Sequence, residues 1–138
     1  MKIRKLLILL LVSCSLFASY VAVAGPDEDL EACLSKQENY STAGMANCTN
    51  EGSVNWDKEL NQIYKKLMSK LTPEGKESLK QSQRQWIKFR DNEYQFIADM
   101  YDRREFSGTM YIPMRSMDVM QVTKKRTLEL IKYLKKHK

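Results

Sequence analysis

The chain has 138 residues, among them 23 Lys and Arg, 17 Asp and Glu, five glycines, three cysteines and one histidine. This length suits a single domain with one core. Because the only histidine is His137, histidine-based catalysis and histidine-ligated zinc have almost no candidate residue. Neither G-x-G-x-x-G nor G-x-x-x-x-G-K-S/T occurs, so the sequence predicts neither a cofactor nor a metal.

Residues 1–24 have the organisation of a secretory signal peptide. A cationic start is followed by an aliphatic run at 6–12 and by a small-apolar-small triplet that ends at Ala24, which predicts cleavage there. A retained membrane anchor is disfavoured because four acidic residues follow closely. We therefore expect a single helical domain over 25–138, periplasmic or secreted, without a transmembrane helix.

The sequence Leu11-Val12-Ser13-Cys14 has the form of a bacterial lipoprotein processing box and defines an alternative. Cleavage before Cys14 would leave an acylated cysteine as a lipid anchor. The residues that follow Cys14 are mainly apolar, whereas the tether after a lipid-bearing cysteine is normally polar. The sequence therefore favours a soluble product over a lipoprotein.

The formal net charge is +6, but three basic residues lie in the signal peptide. The rest of the chain has 20 basic and 17 acidic residues, a net charge of +3, so we expect no nucleic-acid partner. Residues 124–138 hold seven basic residues and one acid. The favoured interpretation is a solvated helix end whose lysines face the C-terminal dipole. The alternative is a patch for an anionic lipid or glycan.

Two cysteines, Cys33 and Cys48, remain after removal of the signal peptide. In an oxidising compartment an even pair predicts a disulfide, and a metal site is improbable without histidine partners. Closing a loop of about 15 residues should stabilise the fold by roughly 3 kcal/mol.

The mature sequence predicts an all-α fold, a small helical bundle. Apolar residues at helical spacing predict a helix over Ser53–Leu71, capped by Ser53 or Asn55. Thr72-Pro73-Glu74 predicts a new helix start, and the following helix should run to about Asp102, about 45 Å in length. We expect this long central helix to pack antiparallel to the shorter preceding one.

The remaining segments predict shorter elements. Residues 103–113 lack a clean period, and Pro113 can start a final helix. Two short helices, near Asp27–Ser35 and Thr42–Thr49, should be joined by the disulfide. Four methionines cluster around the start of the final helix, where they are expected to fill the core rather than form an adaptable binding surface; they are Met110, Met114, Met117 and Met120.

A series of motifs in the mature chain suggests a family. In order, it consists of Cys33, Met45-x-x-Cys48, Asp57-x-x-Leu60-Asn61-x-x-Tyr64-x-x-Leu67, Leu79, Gln83-x-x-Trp86 and Arg90-Asp91. Together with Thr123-x-x-Arg126-x-x-x-Leu130 in the last helix, this series resembles the LprI-like family. The resemblance implies a small secreted bacterial helical protein and a lysozyme-inhibiting function. Many relatives carry a second cysteine pair, and here Tyr94 and Met120 hold those positions.

The motif residues are interpreted as structural. Arg90 lies one turn after Trp86, so its guanidinium can stack on the indole while it pairs with a carboxylate on the adjacent helix, for which we expect Asp57. Asn61 and Gln83 could complete a buried polar network. Tyr64 and Asp91 are placed in the same network. A catalytic pair of Asp57 and Asp91 is disfavoured, because neither position indicates a cleft and Arg90 would keep Asp91 ionised.

Two classes of function remain open, and an enzyme is not expected. The resemblance implies an inhibitor of a lysozyme-type muramidase, for which the best segment is cationic and aromatic: Arg103, Arg104, Phe106 and Tyr111. The same residues could instead form an ordinary surface connection. The alternative function is an envelope interaction or scaffold module with another partner.

Overall fold

The computed structural model describes residues 25–102 and 107–137. These residues contain no strand, which confirms the all-α prediction. The elements are α1 (Pro26–Leu34), a 3-10 turn (Gln37–Asn39), α2 (Thr42–Lys70), α3 (Pro73–Met100) and α4 (Tyr111–Lys135).

Helix α2 is continuous, so the predicted break between a short helix at 42–49 and a second helix from Ser53 is wrong. The N-cap is Ser41, whose Oγ accepts a hydrogen bond from the Gly44 amide at 3.0 Å. Gly52 lies inside the helix because the neighbouring helix approaches closely there. A Cβ atom at Gly52 would lie 2.9 Å from the Sδ of Met120.

Helices α2 and α4 lie side by side and run parallel. Thr42 at the start of α2 contacts Thr109, just before α4, through a hydrogen bond of 3.3 Å. Leu130 near the end of α4 packs with Leu60 and Leu67 of α2. Corresponding ends of the two helices therefore lie together.

Helix α3 provides the return between these parallel helices. Thr72 caps it by accepting a hydrogen bond from the Gly75 amide at 3.2 Å, and Pro73 occupies its first turn, as the sequence predicts. Only Leu79 and Ile97 of its 28 residues are buried. Helix α3 is thus antiparallel to α2, as expected, but α4 covers most of the buried face of α2 and α3 lies mainly against α4. The central helix is α2, which with 29 residues is no shorter than α3 with 28.

The buried side chains form two clusters along α2. The first joins α2, α3 and α4 and consists of Leu60, Ile63, Leu67, Leu79 and Leu130. The second joins α1, α2 and α4 and consists of Leu30, Cys48, Trp56 and Met120. Each large apolar side chain buried in this way contributes about 1.5–3 kcal/mol.

The four clustered methionines divide between the two roles considered for them. Met120 is 1% exposed in the second cluster, and Met117 packs against that cluster. Met110 and Met114, by contrast, are about half exposed. The prediction that these methionines fill the core therefore holds for Met117 and Met120 only.

Candidate functional site

Arg90 lies where its spacing from Trp86 predicts. Its guanidinium carbon is 5.6 Å from the centroid of the Trp86 ring and 5.8 Å from that of Tyr94. The Nε and Nη2 atoms of Arg90 donate to the Oδ1 of Asp91 at 2.9 and 2.7 Å. Arg90 is thus held by its own helix.

The predicted pairing of Arg90 with Asp57 is wrong. The Asp57 side chain is exposed and accepts a hydrogen bond from the Nδ2 of Asn61 at 3.1 Å, one turn along α2. Arg90 instead donates to Asp91, the next residue on its own helix. Asn61 is exposed, so the predicted buried network of Asn61 with Gln83 does not form either.

The buried polar contact between helices is centred on Arg126, a residue of the last sequence motif for which no role was predicted. Its side chain is 7% exposed. The guanidinium donates to the Oε1 of Gln83 and to the Oγ of Ser82, each at 3.1 Å, and also to Glu129. Arg126 therefore holds α3 against α4. The sequence signal for this role was the position of Arg126 in the last motif, Thr123-x-x-Arg126-x-x-x-Leu130.

Tyr94 and Met120, the positions at which the resemblance implied a missing second cysteine pair, both lie at contacts of α4. The hydroxyl groups of Tyr94 and Thr123 are 2.9 Å apart and form a hydrogen bond between α3 and α4. Met120 is buried against Trp56 and Leu30. Hydrogen bonding and packing therefore hold α4 at these two positions. Tyr64, the remaining motif residue, packs half-buried against the first cluster.

The predicted disulfide is confirmed. Cys33 and Cys48 are bonded, with their Cα atoms 5.7 Å apart, so that α1 is joined to α2. The Nδ2 of Asn39 donates to the carbonyl oxygen of Cys33 at 2.9 Å. A Cβ atom at Gly44 would lie 2.6 Å from the Cα of Asn39, so glycine allows the 3-10 turn to lie directly against α2.

The predicted partner-binding segment lies only partly within the described residues. Arg103, Arg104 and Phe106 lie outside them, whereas Tyr111 is half-buried at the start of α4. The hydroxyl of Tyr101 donates to the Oδ2 of Asp118 at 2.7 Å. This hydrogen bond, together with burial and the negative charge of Asp118, raises the pKa of Tyr101 above its ordinary value.

Two grooves flank the base of this segment. One, of about 310 Å³, is mainly apolar, with Leu34, Met45, Met114 and Met117 among its lining residues. The other, of about 460 Å³, includes Tyr101, Tyr111, Ile112 and Arg115. Tyr101 and Tyr111, which border the connection between α3 and α4, therefore lie beside concave surfaces at the disulfide end of the molecule.

The described residues do not bring the candidate catalytic or metal-binding groups together. No group of three or more His, Cys, Asp or Glu side chains capable of holding a metal occurs in 25–102 or 107–137. Asp57 and Asp91 are both exposed and bonded to neighbours on their own helices. No helix in the part that the structure describes has the length and apolar character to cross a membrane. Fold and surface define a small disulfide-linked helical protein.

A family model described as lysozyme inhibitor LprI matches residues 33–130. The match extends from the first disulfide cysteine to the buried Leu130 of α4 and so includes both core clusters except Leu30. The chain belongs to the LprI family.

A solved structure has the same fold. The crystal structure of an uncharacterized protein from Burkholderia thailandensis superposes with a TM-score of 0.74 at 24% sequence identity. The match covers 83% of this chain and 55% of that protein, so the chain spans little more than half of its length. No curated protein matches the sequence.

Proposed function

We propose that this protein binds a lysozyme-type muramidase and inhibits it. The observation that carries the proposal is the match of residues 33–130 to a family described as a lysozyme inhibitor. The matched range includes the disulfide, the core of α2 and α4, and the whole connection between α3 and α4. An inhibitory rather than a catalytic role is also what the family description names.

The connection between α3 and α4 is the segment that we assign to the enzyme's cleft. A muramidase cleaves its glycan between two carboxyl groups, so a cationic and aromatic segment complements the charge of that cleft. Arg103, Arg104 and Phe106 supply these groups. The base of the segment is fixed by the hydrogen bond from Tyr101 to Asp118 on one side and by that between Thr42 and Thr109 on the other.

A fixed base favours inhibition because a segment held at both ends loses less conformational entropy on binding. The disulfide and the packing of α1 against α2 stabilise the same end of the molecule. Tyr111, the fourth residue of the predicted segment, lines a groove beside it and would contact the rim of the enzyme cleft.

Charge supplies a second, local contribution. The net charge of +3 after signal removal gives no long-range attraction to a strongly basic animal lysozyme. On α1, Asp27 is neutralised by Lys124, whose Nζ lies 2.7 Å from its Oδ2. Glu28, Asp29 and Glu31 remain exposed and can attract basic residues around an enzyme cleft.

The proposed partner lies outside the cytoplasm, and the predicted signal peptide at 1–24 would deliver the protein to the same compartment. A disulfide joining α1 to α2 is the type of bond that forms there. Export to the periplasm or the medium is therefore part of the proposal.

Titration of muramidase activity tests the proposal. The purified protein is added to an animal and to a bacterial muramidase, and clearing of a cell-wall suspension is followed. We expect saturable slowing of at least one enzyme. No slowing of either enzyme at micromolar excess would overturn the proposal and favour a scaffold role in the envelope.

The assigned segment is tested with Arg103→Ala/Arg104→Ala. The matched control is Arg84→Ala/Lys88→Ala, which removes the same charge from exposed positions on α3. We expect inhibition to weaken at least tenfold in the first variant and to change little in the control, with equal helicity by circular dichroism. Equal potency of the two variants would remove the segment from the mechanism.

A further inference from the structure

The parallel arrangement of α2 and α4 gathers lysines at one end of the molecule. Because the C-termini of both helices lie together, their basic last turns become neighbours. Six exposed lysines lie within the last two turns of these helices or just beyond them: Lys65, Lys66, Lys70, Lys132, Lys135 and Lys136. Within the described residues, none of the six forms an ion pair.

Helix dipoles account for only a small part of this charge. A helix C-terminus carries about −0.5 of an elementary charge, so two C-termini side by side amount to about −1. The N-terminus of α3, at the same end, carries about +0.5 and offsets half of that. The helix ends together therefore neutralise about half a charge, and Glu74 in the first turn of α3 about one more, so most of the charge of the six lysines remains.

A cleft between the two helix ends concentrates the excess charge. Its volume is about 390 Å³. Lys66 and Lys70 of α2 face Lys135 of α4 across it, and the half-buried Ile131 and Leu134 provide apolar surface below them. No Asp or Glu of the described chain lines this cleft.

The choice of lysine indicates the chemistry of the ligand. Recognition of carboxylates in a fixed geometry typically uses arginine, whose planar guanidinium forms paired hydrogen bonds. All six cations at this end are lysines, which act as mobile point charges on flexible stems. Such groups suit phosphates whose positions are not fixed, as on a lipid surface.

We propose that the end of the molecule formed by the C-termini of α2 and α4 docks on the anionic phospholipid headgroups of a membrane surface. The lysines of the cleft contact headgroup phosphates. This contact is peripheral, and it does not rest on the proposed inhibition of a muramidase.

Vesicle sedimentation tests the proposal. The protein is mixed with vesicles of phosphatidylglycerol and phosphatidylcholine, or with vesicles of phosphatidylcholine alone, and the bound fraction is measured at low and high salt. We expect binding to the anionic vesicles only, lost at high salt because the charges are then screened. Salt-resistant binding, or equal binding to both vesicles, would overturn the proposal.

The cleft is tested with Lys66→Ser/Lys70→Ser/Lys135→Ser. The control, Lys36→Ser/Lys58→Ser/Lys88→Ser, removes the same charge from exposed positions elsewhere. Each headgroup-contacting lysine contributes about fivefold in affinity, so the cleft variant should bind roughly 100-fold more weakly. The control should bind nearly as the parent does. All three proteins are isolated from the same secreting host, so that their N-termini are the same.

Two results distinguish headgroups from other anions. If the cleft variant and the control variant lost the same affinity for the anionic vesicles, the protein would be attracted by its net charge alone. That result would overturn the proposal of a docking site. Inorganic phosphate, titrated into the vesicle mixture at constant ionic strength, should displace the protein only weakly. Complete displacement by stoichiometric phosphate would identify a free-anion site and would likewise overturn docking on lipid.

Discussion

The Nε of Arg126 on α4 donates a hydrogen bond to the Oε1 of Gln83 on α3, at 3.1 Å. Forty-three residues separate the two positions in the sequence, and the same guanidinium also reaches Ser82. Helix α3 buries only Leu79 and Ile97, so this polar contact is important for holding α3 against α4.

Replacing Arg126 should therefore loosen α3. For Arg126→Met we expect a loss of about 2 kcal/mol in the free energy of unfolding, since charged hydrogen bonds to two α3 side chains disappear. Urea unfolding followed by circular dichroism measures it. The control Arg84→Met alters an exposed arginine of α3 and should stay within about 0.5 kcal/mol of the parent. A loss no larger than that of the control would contradict the role given to Arg126.

Tyr94 and Thr123 should be energetically coupled through the hydrogen bond between their hydroxyl groups. We expect Tyr94→Phe and Thr123→Val to show an interaction free energy of about 1 kcal/mol in a double-mutant cycle, because each single change removes the same bond. Additive effects of the two changes would show that the contact contributes nothing beyond packing.

The disulfide should stabilise the fold by roughly 3 kcal/mol, as the closed loop of 15 residues implies. Chemical unfolding of Cys33→Ala/Cys48→Ala, compared with the oxidised parent, measures this contribution. Reduction of the parent with a thiol reagent should give a similar loss. A parent protein insensitive to reduction would argue against a structural role for the bond.

Asp118 should hold the pKa of Tyr101 above its ordinary value. In Asp118→Asn we expect this pKa to fall, because the accepting carboxylate and its charge are lost. Ring resonances followed by NMR through alkaline pH report the change. Tyr133 is the internal control, since its raised pKa depends chiefly on Glu129 and should not respond to this substitution.

The hydrogen bond between Tyr101 and Asp118 also determines how the free energy of unfolding changes with pH. A tyrosine whose pKa is higher in the folded than in the unfolded state stabilises the fold fully below pH 10.0, the ordinary value, and loses that contribution as the pH rises through the folded-state pKa. The advantage of the parent over Tyr101→Phe should therefore shrink at alkaline pH. An advantage that grows with pH would contradict the assignment.

Mass spectrometry of the exported chain tests the predicted N-terminus. We expect a mature protein that begins at Gly25, because the small-apolar-small triplet directs cleavage after Ala24. A chain that begins at an acylated Cys14 would instead establish the lipoprotein alternative.

Local sequence signals predicted the features that depend on local chemistry. Thr72-Pro73 gave the start of α3, because a capping hydroxyl and a proline suit the first turn of a helix. The pairing of Cys33 with Cys48 followed from their number and compartment. The position of Arg90 over Trp86 followed from the helical repeat.

Features that depend on neighbouring helices were not predictable in the same way. Gly52 and Ser53 resemble a helix boundary, yet the close approach of Met120 explains a glycine inside α2. The prediction that Asp57 pairs with Arg90 was wrong because helical periodicity does not specify which helix lies opposite. Arg126 stood in a motif, but its burial arises only where α3 and α4 cross.

The parallel pairing of α2 and α4 sets the distance between the two ends of the molecule. With 29 residues, α2 spans about 43 Å. It therefore separates Tyr101 and Thr109, which border the connection between α3 and α4, from the lysine-rich end by most of the length of α2. A copy docked on a bilayer by its lysines would hold the disulfide end of the molecule away from the lipid surface. An enzyme working on the nearby wall could then be engaged without either contact obstructing the other.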